Sequence, residues 1–168
     1  MAGCLLVTTV QDAATADLDA STLYGILKLR SAVFVVEQNC VYLDPDGRDL
    51  EPDARQVWIE SDGAVVATLR LLVDRADHFA DNPADAPIRI GRVVTRADSR
   101  GAGLAAALMR HALRVCDGRT VVLSAQTYLA DWYSRFGFVV DGPEFLDDGI
   151  PHVPMRRPKR GSVEGQPM

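Results

Sequence analysis

The hydrophobic positions of this chain fall into two alternating periods, short apolar blocks and longer stretches with helical spacing. Gln56 to Glu60 and Ala64 to Val73 are β-rich runs joined through Ser61-Asp62-Gly63, the pattern of a hairpin. Ile88, Ile90, Val93, Val94 and Thr95 read as a further buried strand. Leu104, Leu108, Ala112 and Val115 then recur at helical spacing, and Asp117-Gly118 ends that helix. Val121-Val122-Leu123 opens another buried strand that finishes in Ser124-Ala125-Gln126. Nearer the start, Gly3 to Val10 is expected to be the first strand. Leu23, Ile26, Leu27, Arg30 and Phe34 share one face of a helix that Asp17, Asp19 or Ser21 would cap. This helix is expected to fray or stop at Val33-Phe34-Val35-Val36, where β-branched and aromatic side chains crowd the winding. Later, Tyr128 to Arg135 makes a short helix, Phe136 to Val140 a strand, and His152 to Met155 a final edge strand. Ala76 to Pro87 is a polar loop, and the tail at 158–168 is polar and expected to be disordered.

Composition narrows the class. A chain of 168 residues suits one domain, here 1–157, with room for a real core. Hydrophobic residues at 48% and charged ones at 24% are ordinary for a soluble protein. No apolar run approaches a membrane span, and no basic segment precedes the first strand-like stretch, so the expected location is cytoplasmic. The net charge of −5 disfavours nucleic acid as a partner and weakly favours a cationic substrate such as an amine. Cys4, Cys40 and Cys116 form no close pair. His78, His111 and His152 lack ligand spacing, so no metal is expected, and a GxSxG elbow is missing.

The candidate chemistry starts where the strand ending at Thr95 turns through Arg96, Asp98, Ser99 and Arg100 into Gly101-Ala102-Gly103. Amides at a helix N-terminus lack intrahelical partners and sit at the positive end of the dipole. Glycines let an anion approach them closely, and Arg100 adds fixed charge. Three readings compete for this cradle. Gly101, Gly103 and Ala106 formally satisfy a dinucleotide GxGxxG/A, although Arg96 to Arg100 separate the strand from its first glycine. Arg100, Gly103 and Ala105 satisfy Arg/Gln-x-x-Gly-x-Gly/Ala, the pattern of an acyl-CoA pyrophosphate loop. The third is a tight turn without a ligand.

Two further stretches bear on the choice. Residues 37–53 hold Glu37, Asp44, Asp46, Asp49, Glu51 and Asp53, and read either as a solvated acidic loop or as one wall of an acceptor pocket. Trp132-Tyr133-Ser134-Arg135-Phe136-Gly137-Phe138 is by itself an aromatic cluster of the kind that usually fills a core. Its order after strand, glycine loop, helix and strand, with Tyr-x-x-x-Gly-Phe, resembles motifs A and B of the GNAT N-acetyltransferase family. The resemblance covers residues 20–156 and is greatest to the ElaA-like branch. It is carried there by the run from Leu29 to Cys40, by Asp46-Gly47-Arg48-Asp49-Leu50-Glu51-Pro52, and by Asp148 to Met155.

The resemblance implies an α/β (α+β) acyl-CoA N-acyltransferase fold: a central mixed, mostly antiparallel twisted sheet flanked by helices, with two strands splayed apart. It implies transfer of an acetyl group from acetyl-CoA to a primary amine of a small molecule or peptide. Val93, Val94 and Thr95 would offer backbone groups to the pantetheine and the acetyl carbonyl. Arg100, Gly101, Ala102, Gly103, Leu104 and Ala105 would hold the pyrophosphate, and Tyr133 would protonate the leaving thiolate. The strand Ile88 to Thr95 carries no carboxylate for a general base, which leaves Glu37, Asp46, Asp49, His152 or a water relay. Gln126 is a cofactor or substrate contact, or a cap on frayed backbone. Arg30, Gln38, Asp46 and Asp49 are acceptor-side candidates. Ala97 stands where the family often has proline and Ala105 where it often has glycine. Arg30-x-x-x-Phe34 with Asp44-x-Asp46-x-x-Asp49 also resembles the N-terminal signature of acyl-homoserine lactone synthases, and a non-catalytic acyl-CoA-binding domain is a third alternative. A homodimer is left open.

Overall fold

A computed structural model describes residues 9–75 and 85–159. Eight strands among the described residues are β1 (Val10–Ala14), β2 (Arg55–Ser61), β3 (Ala64–Val73), β4 (Ile88–Thr95), β5 (Val121–Gln126), β6 (Val139–Val140), β7 (Phe145–Asp147) and β8 (Ile150–Arg157). Their order in the sheet is β1-β2-β3-β4-β5-β8-β6, with β7 also on β8. Helices α1 (Ala20–Arg30), α2 (Leu104–Val115) and α3 (Ala130–Ser134) complete a mixed α/β fold with a mostly antiparallel open sheet. By contacts the chain forms two compact units, one from 1–70 with 92–111 and the other from 71–91 with 112–168.

In the first unit, β1 runs antiparallel to β2 from Val10↔Ile59 to Ala14↔Arg55. The strand expected over Gly3 to Val10 meets β1 at Val10, and residues 3–8 lie outside the described ones. Asp62 and Gly63 both have positive φ, 51° and 74°, the two-residue turn whose twist matches a hairpin. Asp19 caps α1 by accepting from the Thr22 amide at 2.9 Å, which settles the choice among three candidate caps. Ile26 and Leu29, with Val33, pack on Trp58, Val65 and Val94, and each buried aliphatic contributes about 1.5–3 kcal/mol. A Cβ at Gly25 would come within 3.0 Å of Val65 Cγ2, so glycine there lets α1 lie close to β3. The helix does not stop at Val33–Val36. Ser31–Glu37 continues as a seven-residue π-helix, with the Gln38 amide bonding the Val33 carbonyl at 2.9 Å.

The second unit is built around β8. It pairs antiparallel with β5 from Val121↔Arg157 to Gln126↔His152, and also with β6 and β7. The expected edge strand at His152 to Met155 is thus an interior strand, because three others bond to it. Asp148 (φ 47°) and Gly149 (φ 78°) form the β7–β8 turn, an Asp-Gly step that is itself a hairpin signal in the sequence. The strand expected from Phe136 shrinks to Val139–Val140. Amides of Phe136 and Gly137 bond back to Tyr133 and Ser134, and Gly137 turns the chain at φ 86°. β4 and β5 pair in parallel at Ile88↔Val121 and Arg89↔Val122, and both strands run on past that register. Most of the loop expected at 76–87, and the tail beyond 159, fall outside the described residues.

Candidate active site

The glycine turn has the backbone that the sequence asked of it. Gly101 and Gly103 sit at φ 80° and 77°, and a Cβ on either would meet nothing within 4 Å. The space over this turn is open, and the left-handed conformation alone selects glycine. The first α-helical bond of α2 runs from the Ala107 amide to the Gly103 carbonyl at 3.0 Å. Amides ahead of Ala107 in the first turn therefore have no intrahelical acceptor, at the head of a helix of twelve residues. Ala102 is exposed, Leu104 and Ala105 half-buried. At the end of β4, Val94 is buried in the core and Val93 and Thr95 are half-buried.

Arg100 Nε donates to the Thr95 carbonyl at 3.1 Å, while its two terminal nitrogens donate to Glu37 Oε1 and Oε2 at 2.7 and 2.8 Å. The hydrogen bonds from Arg100 hold the Glu37 carboxyl below its usual range. A carboxylate made less basic and bound at both oxygens is poorly suited to take a proton from an amine. That argues against Glu37 as general base. Gln38 follows it, half-buried, with its carbonyl accepting from Cys40 Sγ at 3.7 Å.

The acidic loop divides: Glu37, Asp46 and Asp53 are exposed, while two of its acids turn inward. Asp44 and Asp49 are buried, and their charges meet Arg30, an expected acceptor-side residue, together with Arg70 and Arg92. Arg30, wholly buried, donates from Nε to Asp44 at 2.8 Å and from a terminal nitrogen to Asp49 at 2.7 Å. Arg70 bridges both oxygens of Asp46 at 2.8 Å and reaches Asp49 at 3.0 Å. Arg92 donates to Asp44 at 2.7 Å and lies 5.7 Å over the Tyr42 ring. Burial alone would raise the Asp46 and Asp49 carboxyls. Bonds from Arg70 to Asp46, and from Arg30 to Asp49, outweigh it and leave both lowered. Arg30 and Asp49 thus bond to each other inside the unit, and Asp46 is engaged by Arg70 and Arg92. A signal for this was present in the sequence: an arginine inside the apolar run of β3 requires a buried carboxylate partner.

In the second unit, Tyr133 is 7% exposed, with its ring edge-on to Trp132 and Phe138 at 4.8 and 6.2 Å between centroids. Burial, with a smaller contribution from Tyr128, pushes its phenol up to about 12. His152 Nδ1 lies 2.8 Å from the Ile150 carbonyl. A carbonyl only accepts, so Nδ1 carries a proton, and in the neutral form of the ring the lone pair lies on Nε2. Phe145 stacks on this ring at 5.9 Å and 26°. Gln126 is the cross-strand partner of His152, and its Oε1 accepts from Tyr128 Oη at 2.7 Å.

A glycine turn heading a helix, a buried phenol and an imidazole bonded on one side now stand beside a family match. Residues 48–158 match the Acetyltransferase (GNAT) domain family. The chain belongs to the GNAT family. A UPF0039 protein of Mycobacterium tuberculosis is 49% identical over 149 residues, which is 88% of this chain and 92% of that protein. The crystal structure of Escherichia coli ElaA superposes with TM-score 0.80 at 37% identity, covering 89% of this chain and 99% of ElaA. An acyl-CoA N-acyltransferase from Pseudomonas aeruginosa gives TM-score 0.80 at 40% identity, with 89% and 99% coverage. The acyl-homoserine lactone synthase LasI, at TM-score 0.66 and 22% identity, shares the fold alone. This GNAT domain is accordingly an ElaA-like acyltransferase that uses a CoA-type donor. No helix among the described residues is long and apolar enough to cross a membrane.

Proposed function

We propose that this GNAT domain transfers the acetyl group of acetyl-CoA to a primary amine of a small molecule or peptide. The observation that carries the reading is the pair of left-handed glycines over open space at the head of α2, with Arg100 beside them. These residues fit a diphosphate: the main chain is bare there and its first-turn amides have no intrahelical acceptor. Arg100, Gly101, Ala102, Gly103, Leu104 and Ala105 would hold it, and the backbone of Val93, Val94 and Thr95 would hold the pantetheine arm. Acetyl-CoA supplies, when bound, an activated thioester.

The remaining roles belong to side chains of this chain. Tyr133 keeps its proton across the physiological range because burial disfavours the phenolate, and it is assigned as proton donor to the departing sulfur. His152 presents Nε2 as an acceptor and is assigned as the base that neutralises the incoming ammonium. Gln126 and Gln38 are assigned to substrate contact. The lactone-synthase alternative rests on the stretch holding Arg30, Asp44, Asp46 and Asp49, whose side chains bond to arginine and aspartate side chains of this same unit.

The test is thiol release from acetyl-CoA across a panel of primary amines and peptide N-termini. At least one amine should accelerate release well beyond hydrolysis and appear acetylated by mass spectrometry. If no amine does so while S-adenosylmethionine with an acyl donor yields a lactone, the reading is wrong.

A further inference from the structure

We propose that Glu37 is a built-in competitor for the diphosphate of the acyl-CoA: it holds the Arg100 fork until the ligand arrives and then gives it up. The inference rests on the reading of the cradle given above. Carboxylate and phosphate engage a guanidinium with the same two-point geometry, so a ligand meant for Arg100 meets a fork already taken. Glu37 occupies both terminal nitrogens at 2.7 and 2.8 Å, and Thr95 takes Nε. Arg96, the other arginine of the turn, is likewise held by a carboxylate, Asp98, at 2.6 Å. Arg100 and Glu37 side chains are 45% and 42% exposed, so water reaches the pair and it exchanges readily. A charged Glu37 left beside a bound diphosphate would oppose it, which makes exchange of partners preferable to sharing.

The position of Glu37 gives that exchange a consequence. It is the last residue of the Ser31–Glu37 π-helix and the first of the loop that runs to residue 53. Its contact with Arg100 pins the start of this loop to the cradle. When Arg100 changes partner, the pin is released, so the donor site reports its state to the loop.

The decisive measurement is the dissociation constant for coenzyme A by titration calorimetry on the wild type, Glu37→Gln, Arg100→Ala and the double variant. Removing the Glu37 charge should tighten binding about two- to fivefold, the scale of an exposed ion pair, and the Arg100→Ala background should abolish that gain. Glu37→Ala should shift the constant in the same direction as Glu37→Gln. Weaker or unchanged binding in Glu37→Gln would mean that Glu37 orients Arg100 or does nothing, and overturns the proposal. So would an equal gain with and without Arg100, since that is the general effect of one less negative charge. If the wild type fails to bind coenzyme A, or Arg100→Ala binds as well as wild type, the cradle reading itself falls and takes this proposal with it.

Discussion

Tyr133 shows how much rests on single side chains. Replacing it by Phe keeps the ring contacts to Trp132 and Phe138 and removes the proton donor. Turnover should fall at least tenfold, with coenzyme A affinity nearly unchanged, as steady-state kinetics beside calorimetry would show. The same variant has a signature in stability. A phenol whose folded pKa is raised to about 12 contributes stability below its unfolded value near 10, and that contribution is lost as pH climbs between the two. Over this window wild type should lose about 2–3 kcal/mol more than Tyr133→Phe in urea titrations. At Gly103 the φ of 77° makes any β-branched residue strained by about 1–2 kcal/mol and puts a side chain where the ligand would lie. Gly103→Val should therefore abolish coenzyme A binding while the chain still folds. These residues were legible in sequence because glycines with an arginine, and a tyrosine before Gly-Phe, are local patterns. The tautomer of His152 was not, since it depends on a carbonyl two residues away whose direction only the folded strand fixes.

Among the elements, the loop between the π-helix and β2 changed most between sequence and structure. Its acids looked like a face for a cationic substrate, yet Asp44, Asp46 and Asp49 meet the guanidinium groups of Arg30, Arg70 and Arg92. Composition records how many carboxylates a loop holds, not which way they point, and the partners come from α1, β3 and β4. Removing one member takes a countercharge away from buried partners. Arg30→Met should cost about 3 kcal/mol or more by chemical denaturation, and Asp49→Asn somewhat less because Gln56 and Arg70 still contact that position. Strands with long apolar blocks, such as β3 and β4, were legible to the residue. Of the short ones, β6 was legible only as the end of a longer expected strand, and β7 was not, because three exposed residues carry no period and owe their conformation to β8.

For the whole molecule the same arginine network sets the acid limit. Asp46 and Asp49 have lowered pKa values in the folded chain, so the stability they contribute is present above their unfolded value of about 4 and lost as pH falls below it. Thermal denaturation followed from pH 7 to pH 3 should show a plateau down to about 4 and a steep decline beneath it. An Asp46→Asn variant should decline less steeply there, having lost part of the plateau already. One arrangement in the sheet reaches beyond equilibrium. β8 leaves the ribosome after β5, β6 and β7, yet all three take it as their partner. During synthesis those earlier strands must wait with open edges, and in that interval a chaperone or a second nascent chain has its best opportunity to pair with them.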